Sequence, residues 1–356
     1  LKPELEIEMI RVPLAPLTVF VRSAFRAMGL DEASADITTH ALIYSELRFH
    51  PGQGQGVRRL PAYQDRIARG VLDKAAPFEI LKESPALALV DGHNGLGSVI
   101  GIKAMRLAVS KSKVCGIGVV NVRNGTHYGS SAVHANEAVE AGCIGLAFTN
   151  AGPEMAAFGG ATAMVGTNPW AIGAPSDLGF PVILDIALTT AGKGMMRWHA
   201  REGRKMPLDW ALTPEGLETD DPEAAMAGAL LGIGEYKGYG LSLMTDAMTG
   251  VLSGGAFGRK PYSDPLRQDV SHTFIAIDID WFMPLAEYTT RLGDLARDIK
   301  TSKLRPGFKE VLVPGELEHR RSSEKMAGGV PIDRVVLNEL HALANDLGIA
   351  PIEAMT

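Results

Sequence analysis

A chain of 356 residues with 46% hydrophobic and 21% charged side chains is long enough to bury a sizeable core and too apolar to be mainly disordered, so two or three subdomains are expected. Its formal net charge of -6 gives no basic field for a polyphosphate backbone, and no uncharged apolar run reaches spanning length; both argue against nucleic acid or membrane as partner. The start mixes Lys2, Glu4, Glu6 and Glu8 with apolar residues and does not read as a targeting signal, while Cys115 and Cys143 lack any Cys-x-x-Cys setting, so a reducing, cytoplasmic location is the expectation.

Residues 14–29 and 32–47 carry apolar positions at helical spacing, with Gly29 as a stop and Asp31 as N-cap between them; this predicts a helical hairpin. A glycine-rich break, His50-Pro-Gly-Gln-Gly-Gln-Gly56, precedes a third helical stretch, Arg59 to Arg69, closed by Gly70. The pattern then becomes α/β: a strand over 86–90, a helix over 98–110, a strand over 116–122, a helix over 130–141 stopped by Gly142, and a strand over 144–150. Short strands at 170–174 and 181–186 lead to a polar segment, Thr189 to Pro207, rich in Lys and Arg. Residues 238–252 place Leu241, Met244, Met248, Val251 and Leu252 on one stripe, which predicts a buried amphipathic helix. A strand over 273–280, a helix over 284–303, a short strand over 310–313 and a terminal helix over 333–347 capped by Asp333 complete the chain, with no internal repeat.

The segment Asp91-Gly-His-Asn-Gly-Leu-Gly-Ser-Val-Ile-Gly101 follows a strand and opens a helix, as a dinucleotide loop does. The next strand, however, ends Val120-Asn-Val-Arg-Asn124 without the acidic residue that would hold a ribose, so the segment reads as a glycine-rich turn. Candidate chemistry collects instead in other loops. Asn124-Gly-Thr-His-Tyr-Gly129 and Asn150-Ala-Gly-Pro153 follow successive strands, and if those strands are parallel His127 and Asn150 point to the same side. His127 there either caps the following helix or serves as acid, base or carbonyl polariser. Gly166-Thr-Asn-Pro169 and Asp185 to Thr190 offer amide and hydroxyl groups for a ribose or a carboxamide. Glu235-Tyr-Lys-Gly-Tyr-Gly240 sets Lys237 at a helix start, where an anion is favoured. Each of these alone is more often an ordinary turn than a site, and only their number points to one.

Taken in order, these segments resemble the type-2 malate/L-lactate dehydrogenase family over nearly the whole chain. The family's Ser-His-Gly-Val-x-Arg-x-x-x-Tyr is similar to Gly54-Gln-Gly-Val-Arg-Arg-Leu-Pro-Ala-Tyr63, and its Asn-Ser-x-His-Phe-Gly to Asn124–Gly129. Gly-Thr-Asn-Pro is present at Gly166–Pro169, Asp-Met-Ala-Thr-Ser resembles Asp185-Ile-Ala-Leu-Thr189, Tyr-Lys-Gly-Tyr-Gly-Leu is intact at Tyr236–Leu241, and Pro-Gly-Glu recurs at Pro314–Glu316. The resemblance implies hydride transfer between NAD or NADP and a small carboxylate substrate: a 2-oxo or 2-hydroxy acid, an ureidoglycolate-type compound, sulfolactate or a cyclic imino acid. It implies an α/β fold with a non-Rossmann nicotinamide domain built on a largely antiparallel mixed sheet, in a homodimer, with no metal. Residues 1–80 and 330–356 would form a helical dimerisation domain and 81–329 the sheet-containing region for cofactor and substrate.

Carried over by motif, Arg59 would pair bidentately with the substrate carboxylate, with Tyr63 and Thr167 lining the same pocket. Asn150, Asp185, Ile186, Ala187, Thr189, Tyr236, Lys237, Gly315, Glu316 and Leu317 would hold the dinucleotide. His127 and Gln55 are the catalytic candidates, because Gln55 stands where the family has its catalytic His, inside a short insertion. An amide does not deliver a proton as an imidazolium does. Either His127 or His50 donates, or the substrate is an imine that arrives protonated, or the chain binds the dinucleotide without turnover. The basic residues between Lys193 and Arg204 either hold a ribose phosphate or face solvent, which leaves NADH against NADPH open.

Overall fold

The computed structural model describes residues 7–354, so the charged run Lys2–Glu6 lies outside the described residues. Strand β1 (Met9–Val12) leads into α1 (Leu14–Ala27) and α2 (Glu32–Arg48), the expected hairpin. On α1, Leu17, Phe20, Val21, Ala24 and Phe25 recur at helical spacing and are buried, while the Asp31 carboxylate caps α2 by accepting the Ser34 amide. A one-turn 3-10 segment occupies Pro51–Gln53, and α3 (Leu60–Ala68) follows.

The middle of the chain contributes β2 (Glu79–Glu83), β3 (Leu87–Asp91), α4 (Gly97–Cys115), β4 (Ile117–Gly125), α5 (Ser131–Glu140) and β5 (Cys143–Thr149). Short strands β6 (Met155–Ala156) and β7 (Ala163–Val165) precede β8 (Trp170–Ala174), β9 (Val182–Ile186), α6 (Lys193–Glu202), β10 (Ala211–Leu212), α7 (Pro222–Ala227) and β11 (Ala229–Leu230). The last part holds α8 (Tyr236–Asp246), β12 (Val270–Asp278), α9 (Leu285–Lys300), α10 (Glu316–Gly328), β13 (Val330–Asp333) and α11 (Arg334–Leu347).

The seven-stranded sheet runs β2-β3-β4-β12-β5-β8-β9, and within it only β3–β4 is parallel. It is therefore the largely antiparallel mixed sheet expected. Alternation along β12 assigns its faces: Phe274 and Ala276 pack with Ile100, Ala104 and Met105 of α4, while Thr273 on the other face donates to the Met248 carbonyl. A second core joins the two ends of the chain. Phe20, Phe25, Leu60 and Tyr63 meet Ile332, Leu337 and Leu340 there, and β1 pairs antiparallel with β13.

Three expectations are corrected. Residues 310–313 form no strand; Glu310 pairs with Arg320 on α10. The stripe Leu241, Met244, Val251 and Leu252 is exposed rather than buried, at 39, 54, 53 and 69%. The buried side of α8 carries small polar groups: Ser242 Oγ donates to the Gly166 carbonyl, and Thr245 Oγ1 accepts from the Trp170 indole. Beyond Asp246 the helix widens into a π turn, Ala247–Val251, whose Met248 carbonyl accepts from both Asn121 and Thr273. Finally, the polar segment 189–207 contains α6, whose buried Met196 and Trp198 the surrounding basic residues obscure in the sequence.

The glycine-rich loop before α4 is a turn that packs against protein backbone. A Cβ on Gly97 would lie 2.3 Å from the Thr126 carbonyl oxygen, and Asp91 is held by Arg123 and Asn124.

Candidate active site

Both β4 and β5 run antiparallel to the β12 between them, so they are parallel to each other and their carboxyl-terminal loops emerge at one edge. This puts His127 and Asn150 on the same side of the sheet. Their chemistry differs. Asn150 is buried and spent on structure: its amide donates to Asp246 (3.1 Å) and the Ala256 carbonyl (2.8 Å), and its oxygen accepts the Ser271 amide (2.7 Å). His127 is held by its backbone amide, which donates to Gln268 Oε1 (2.7 Å), and by Nδ1, which accepts the Gly129 amide (3.2 Å). An accepting Nδ1 assigns the neutral ring's proton to Nε2, which is left for a ligand. Burial, and then the charges of Arg59 and Arg66, hold His127 well below the ordinary histidine range.

Beneath this loop Tyr128 is stacked between His134 (4.3 Å) and His272 (4.6 Å). Their burial pushes His134 down to about 4 and His272 down to about 3, so both are neutral spacers. His272 Nδ1 is bonded to Thr149 Oγ1 (2.7 Å), tying the His127 loop to the end of β5.

Helix α3 and the turn that opens it bring Arg59, Tyr63 and Arg66. Arg59 Nε donates to the Gly54 carbonyl (2.7 Å), and burial lowers the guanidinium pKa. Among the described residues no acidic side chain lies within ion-pair distance of Arg59. One turn on, Tyr63 is buried and its hydroxyl has no partner among the described residues. The charges of Arg59 and Arg66 also fall on Tyr262, which sequence reasoning missed; it sits at φ +62° with its amide on the Gln268 carbonyl (2.9 Å). A Cβ on Gly152 would lie 3.0 Å from the Tyr262 ring, so the loop after β5 reaches this group through Gly152. Arg66 was missed too, although its spacing from Arg59 and Tyr63 is legible. Nothing in the local sequence around Tyr262 or Gln268 signals their place.

Gln55 lines a small cavity of about 30 Å³ with His50, Glu46 and Trp198, and its Oε1 is buried without a partner among the described residues. His50 is committed: Nδ1 accepts the Gly52 amide (3.0 Å) and the ring sits edge-on to Trp198 at 5.1 Å.

A larger cavity, about 260 Å³, is lined by Tyr44, Arg48, Asp185, Ile186, Gly315 and His319 among others. Asp185 accepts the Ala132 amide at the start of α5 (2.8 Å), yet burial, with Glu318 adding, pushes it up to about 7. Gly315 has φ +87°, and a Cβ there would lie 2.8 Å from the Pro181 carbonyl oxygen, so glycine is required. Thr189 is buried with its hydroxyl unpartnered among the described residues, and the Thr167 carbonyl accepts the Leu188 amide (2.8 Å) beside it. Ala187 is half-buried in the same strand end. Tyr236 and Lys237 stand exposed at the start of α8, after Glu235 at φ +58°.

Glu316 does not open to this cavity: its buried carboxylate accepts from Lys300 (2.5 Å) and Arg320 (2.6 Å), and Leu317 is exposed outside it. The structure thus gathers Arg59, Tyr63 and His127 at one place and Asp185, Ile186 and Gly315 at another. Glu316 and Leu317 belong to neither, and Gln55 lines the small cavity with His50.

The sequence profile described as Malate/L-lactate dehydrogenase matches residues 12–341. A malate dehydrogenase of Pyrococcus abyssi is 36% identical over 97% of each chain, and an L-sulfolactate dehydrogenase of Methanocaldococcus jannaschii is 35% identical over 91% of this chain and 93% of its own. The crystal structure of malate dehydrogenase from Entamoeba histolytica superposes with a TM-score of 0.93 at 29% identity, covering 96% of this chain and 99% of that one.

Proposed function

The chain belongs to the malate/L-lactate dehydrogenase family and is a hydride-transfer oxidoreductase of small hydroxy and oxo acids, and from that premise we propose that it reduces a 2-oxo acid with NADH or NADPH at the Arg59–His127 site. The observation that carries this reading is Arg59, a half-buried guanidinium without an acidic partner among the described residues, whose charge falls on His127. A substrate carboxylate completes Arg59 bidentately.

The residues expected to hold the dinucleotide fit such a group in two respects. Thr189 has an orphaned buried hydroxyl, and Asp185 offers an acceptor for ribose hydroxyls in a cavity that takes part of the molecule. Lys237 at the exposed start of α8 suits a phosphate. The bound nicotinamide supplies the hydride that adds to C2 of the 2-oxo acid, giving the oxidised ring and a 2-hydroxy acid. His127 Nε2–H donates a hydrogen bond to the C2 oxygen, polarising the carbonyl and stabilising the oxyanion that forms, and the proton that completes the hydroxy acid comes from solvent. The substrate carboxylate offsets the Arg59 charge that depresses His127, so the imidazole is a stronger base in the complex than alone. Tyr63, Tyr262 and Thr167 shape the pocket, and Gln55 supports the α2–α3 loop without touching the proton.

A second reading has one observation behind it. His127 is held neutral, and a protonated cyclic imine needs no acid. Both are tested by following nicotinamide absorbance with a panel of 2-oxo acids and cyclic imino acids: turnover of keto acids supports the first reading, turnover of imines alone the second. Nicotinamide fluorescence without turnover of either would leave only a dinucleotide-binding protein.

In this proposal residues 7–80 and 330–354 form a helical dimerisation unit and 81–329 the cofactor and substrate region, and the exposed stripe of α8 is covered in a homodimer. The two free cysteines suit the reducing cytoplasm expected from the sequence.

A further inference from the structure

On the approach to β12 the chain runs through an exposed stretch, Tyr262 to Arg267, yet the next residue, Gln268, is only 2% exposed. A buried amide needs partners. Gln268 Oε1 accepts from the His127 backbone amide (2.7 Å) and, at a longer 3.4 Å, from the Tyr262 hydroxyl; two donors on one atom fix which end of the side-chain amide faces the His127 loop. The Gln268 carbonyl in turn accepts the Tyr262 amide (2.9 Å), closing the exposed stretch on itself.

The strands deliver the two loops to each other. His272 pairs with Val122, but Val270 pairs with Gly125, so β4 carries one extra residue in a bulge around Asn124 at φ +51°, and Asp269 turns the chain into β12 at φ +55°. In the loop that leaves β4, the neighbours of His127 have anchors of their own. Thr126 Oγ1 donates to the Gly95 carbonyl (2.7 Å) and accepts the Gly97 amide (2.9 Å); Tyr128 stands in its stack with its hydroxyl on Ser131 (2.7 Å). Among the described residues His127 has two hydrogen-bond partners: Gly129, within its own loop, and Gln268, the one that ties it to another element.

We propose that Gln268 is a positioning residue for His127: by holding the backbone amide it sets where the imidazole Nε2 points and ties that direction to the 262–268 loop. This rests on the role proposed above for His127 at the substrate carbonyl. A hydrogen bond that polarises a carbonyl weakens steeply as its angle closes, and without Gln268 the ring and its loop backbone turn together about the Gly129 contact. Gln268 acts through His127 and not on the substrate.

Gln268→Met keeps the length of the side chain and removes the acceptor, while Gln268→Glu keeps an acceptor oxygen at the same reach. With oxaloacetate and NADH or NADPH as probes, Gln268→Met should lower kcat roughly 10- to 100-fold and leave KM for oxaloacetate nearly unchanged. In a His127→Ala background the same substitution should cost nothing more, since the residue it positions is gone. An equal loss in both backgrounds, or an unchanged kcat in Gln268→Met, overturns the proposal. A second readout needs no turnover. With the histidine nitrogens isotope-labelled, one of the nine backbone amide signals is the one that His127→Gln removes. It should move upfield and exchange faster with solvent in Gln268→Met and stay in place in Gln268→Glu; a signal that Gln268→Met leaves unmoved overturns the hold itself. Gln268→Glu should retain most of kcat as well, and loss of both kcat and the signal position there overturns the proposal even where Gln268→Met does not fold. If His127→Ala reduces oxaloacetate as fast as the wild type, or neither reduces it, the reading of the site fails, and the amide signal alone decides whether Gln268 holds the His127 loop.

Discussion

Arg59 has no acidic partner among the described residues and in the proposed function is completed by a substrate carboxylate, so its removal is the most direct probe of the site. Arg59→Ala should raise KM for a 2-oxo acid and cost roughly 2–5 kcal/mol of transition-state binding, the scale of unpairing a buried charge pair, measured as the loss in kcat/KM. For His127 the prediction concerns pH. Its free-enzyme pKa is depressed, so the neutral form persists below the ordinary histidine value. The ring should therefore change charge only below the ordinary histidine range, and kcat/KM should stay level down through pH 6.5; a break at or above 6.5 that is lost in His127→Gln would contradict the burial argument. His127→Ala should cost roughly 10²–10⁴-fold. Asp185 has the opposite sign, since its folded pKa of about 7 lies above its ordinary value of 3.8. Stability linked to it is present at acid pH and lost as pH rises through about 7. Asp185→Asn should therefore stabilise the free protein at pH 8 by roughly 1–3 kcal/mol, with little effect at pH 4, while weakening dinucleotide binding. Paired thermal melts and cofactor titrations check both halves.

At the scale of elements, the β4–α5 loop is only as firm as the stack on which it rests. His134 and His272 have folded pKa values near 4 and 3, below the ordinary 6.5, so the unfolded chain binds more protons between those limits. Stability held above pH 6.5 should fall as pH drops toward 3, by roughly 2–4 kcal/mol for each ring. His272→Phe keeps an aromatic partner for Tyr128 and removes one titrating group. Its melting temperature should fall less steeply on acidification than that of the wild type, and parallel curves would show that the acid sensitivity lies elsewhere. Helix α8 illustrates a different balance. Its buried side is Ser242, Thr245 and Thr249, which satisfy the polar loops around Gly166 and Trp170, so its apolar residues are turned outward.

For the molecule as a whole, that outward stripe has a consequence. Leu241, Met244, Val251 and Leu252 lie together on a surface that water would otherwise wet, which is the mark of an interaction face. In the proposed homodimer a charge placed there breaks association: Met244→Glu should shift the mass found by light scattering from dimer to monomer and lower the melting temperature. A wild type that runs as a monomer would remove the dimer from the proposal.

The sequence by itself determined the periodic elements and the chemical vocabulary. The α1–α2 hairpin with its Asp31 cap, the strands around His127, and the motif loops at Gly166, Asp185 and Tyr236 were legible because each depends on residues close in the chain. Arg59, Tyr63 and His127 were legible as candidates for the same reason. Only the tertiary structure decided which of them meet. Antiparallel pairing of both β4 and β5 with β12 brings the loops of His127 and Asn150 to one edge, a result of strand order across more than a hundred residues. The same long-range packing consumes Asn150 and Glu316 in internal bonds, places Gln55 on a small cavity with His50, and seats the Tyr262 ring against Gly152 of the loop after β5. The stripe on α8 shows the limit most clearly. Helical spacing reveals that a face is apolar, but whether that face meets the core or the outside depends on what the opposite face must satisfy, and in α8 the polar groups claimed the interior.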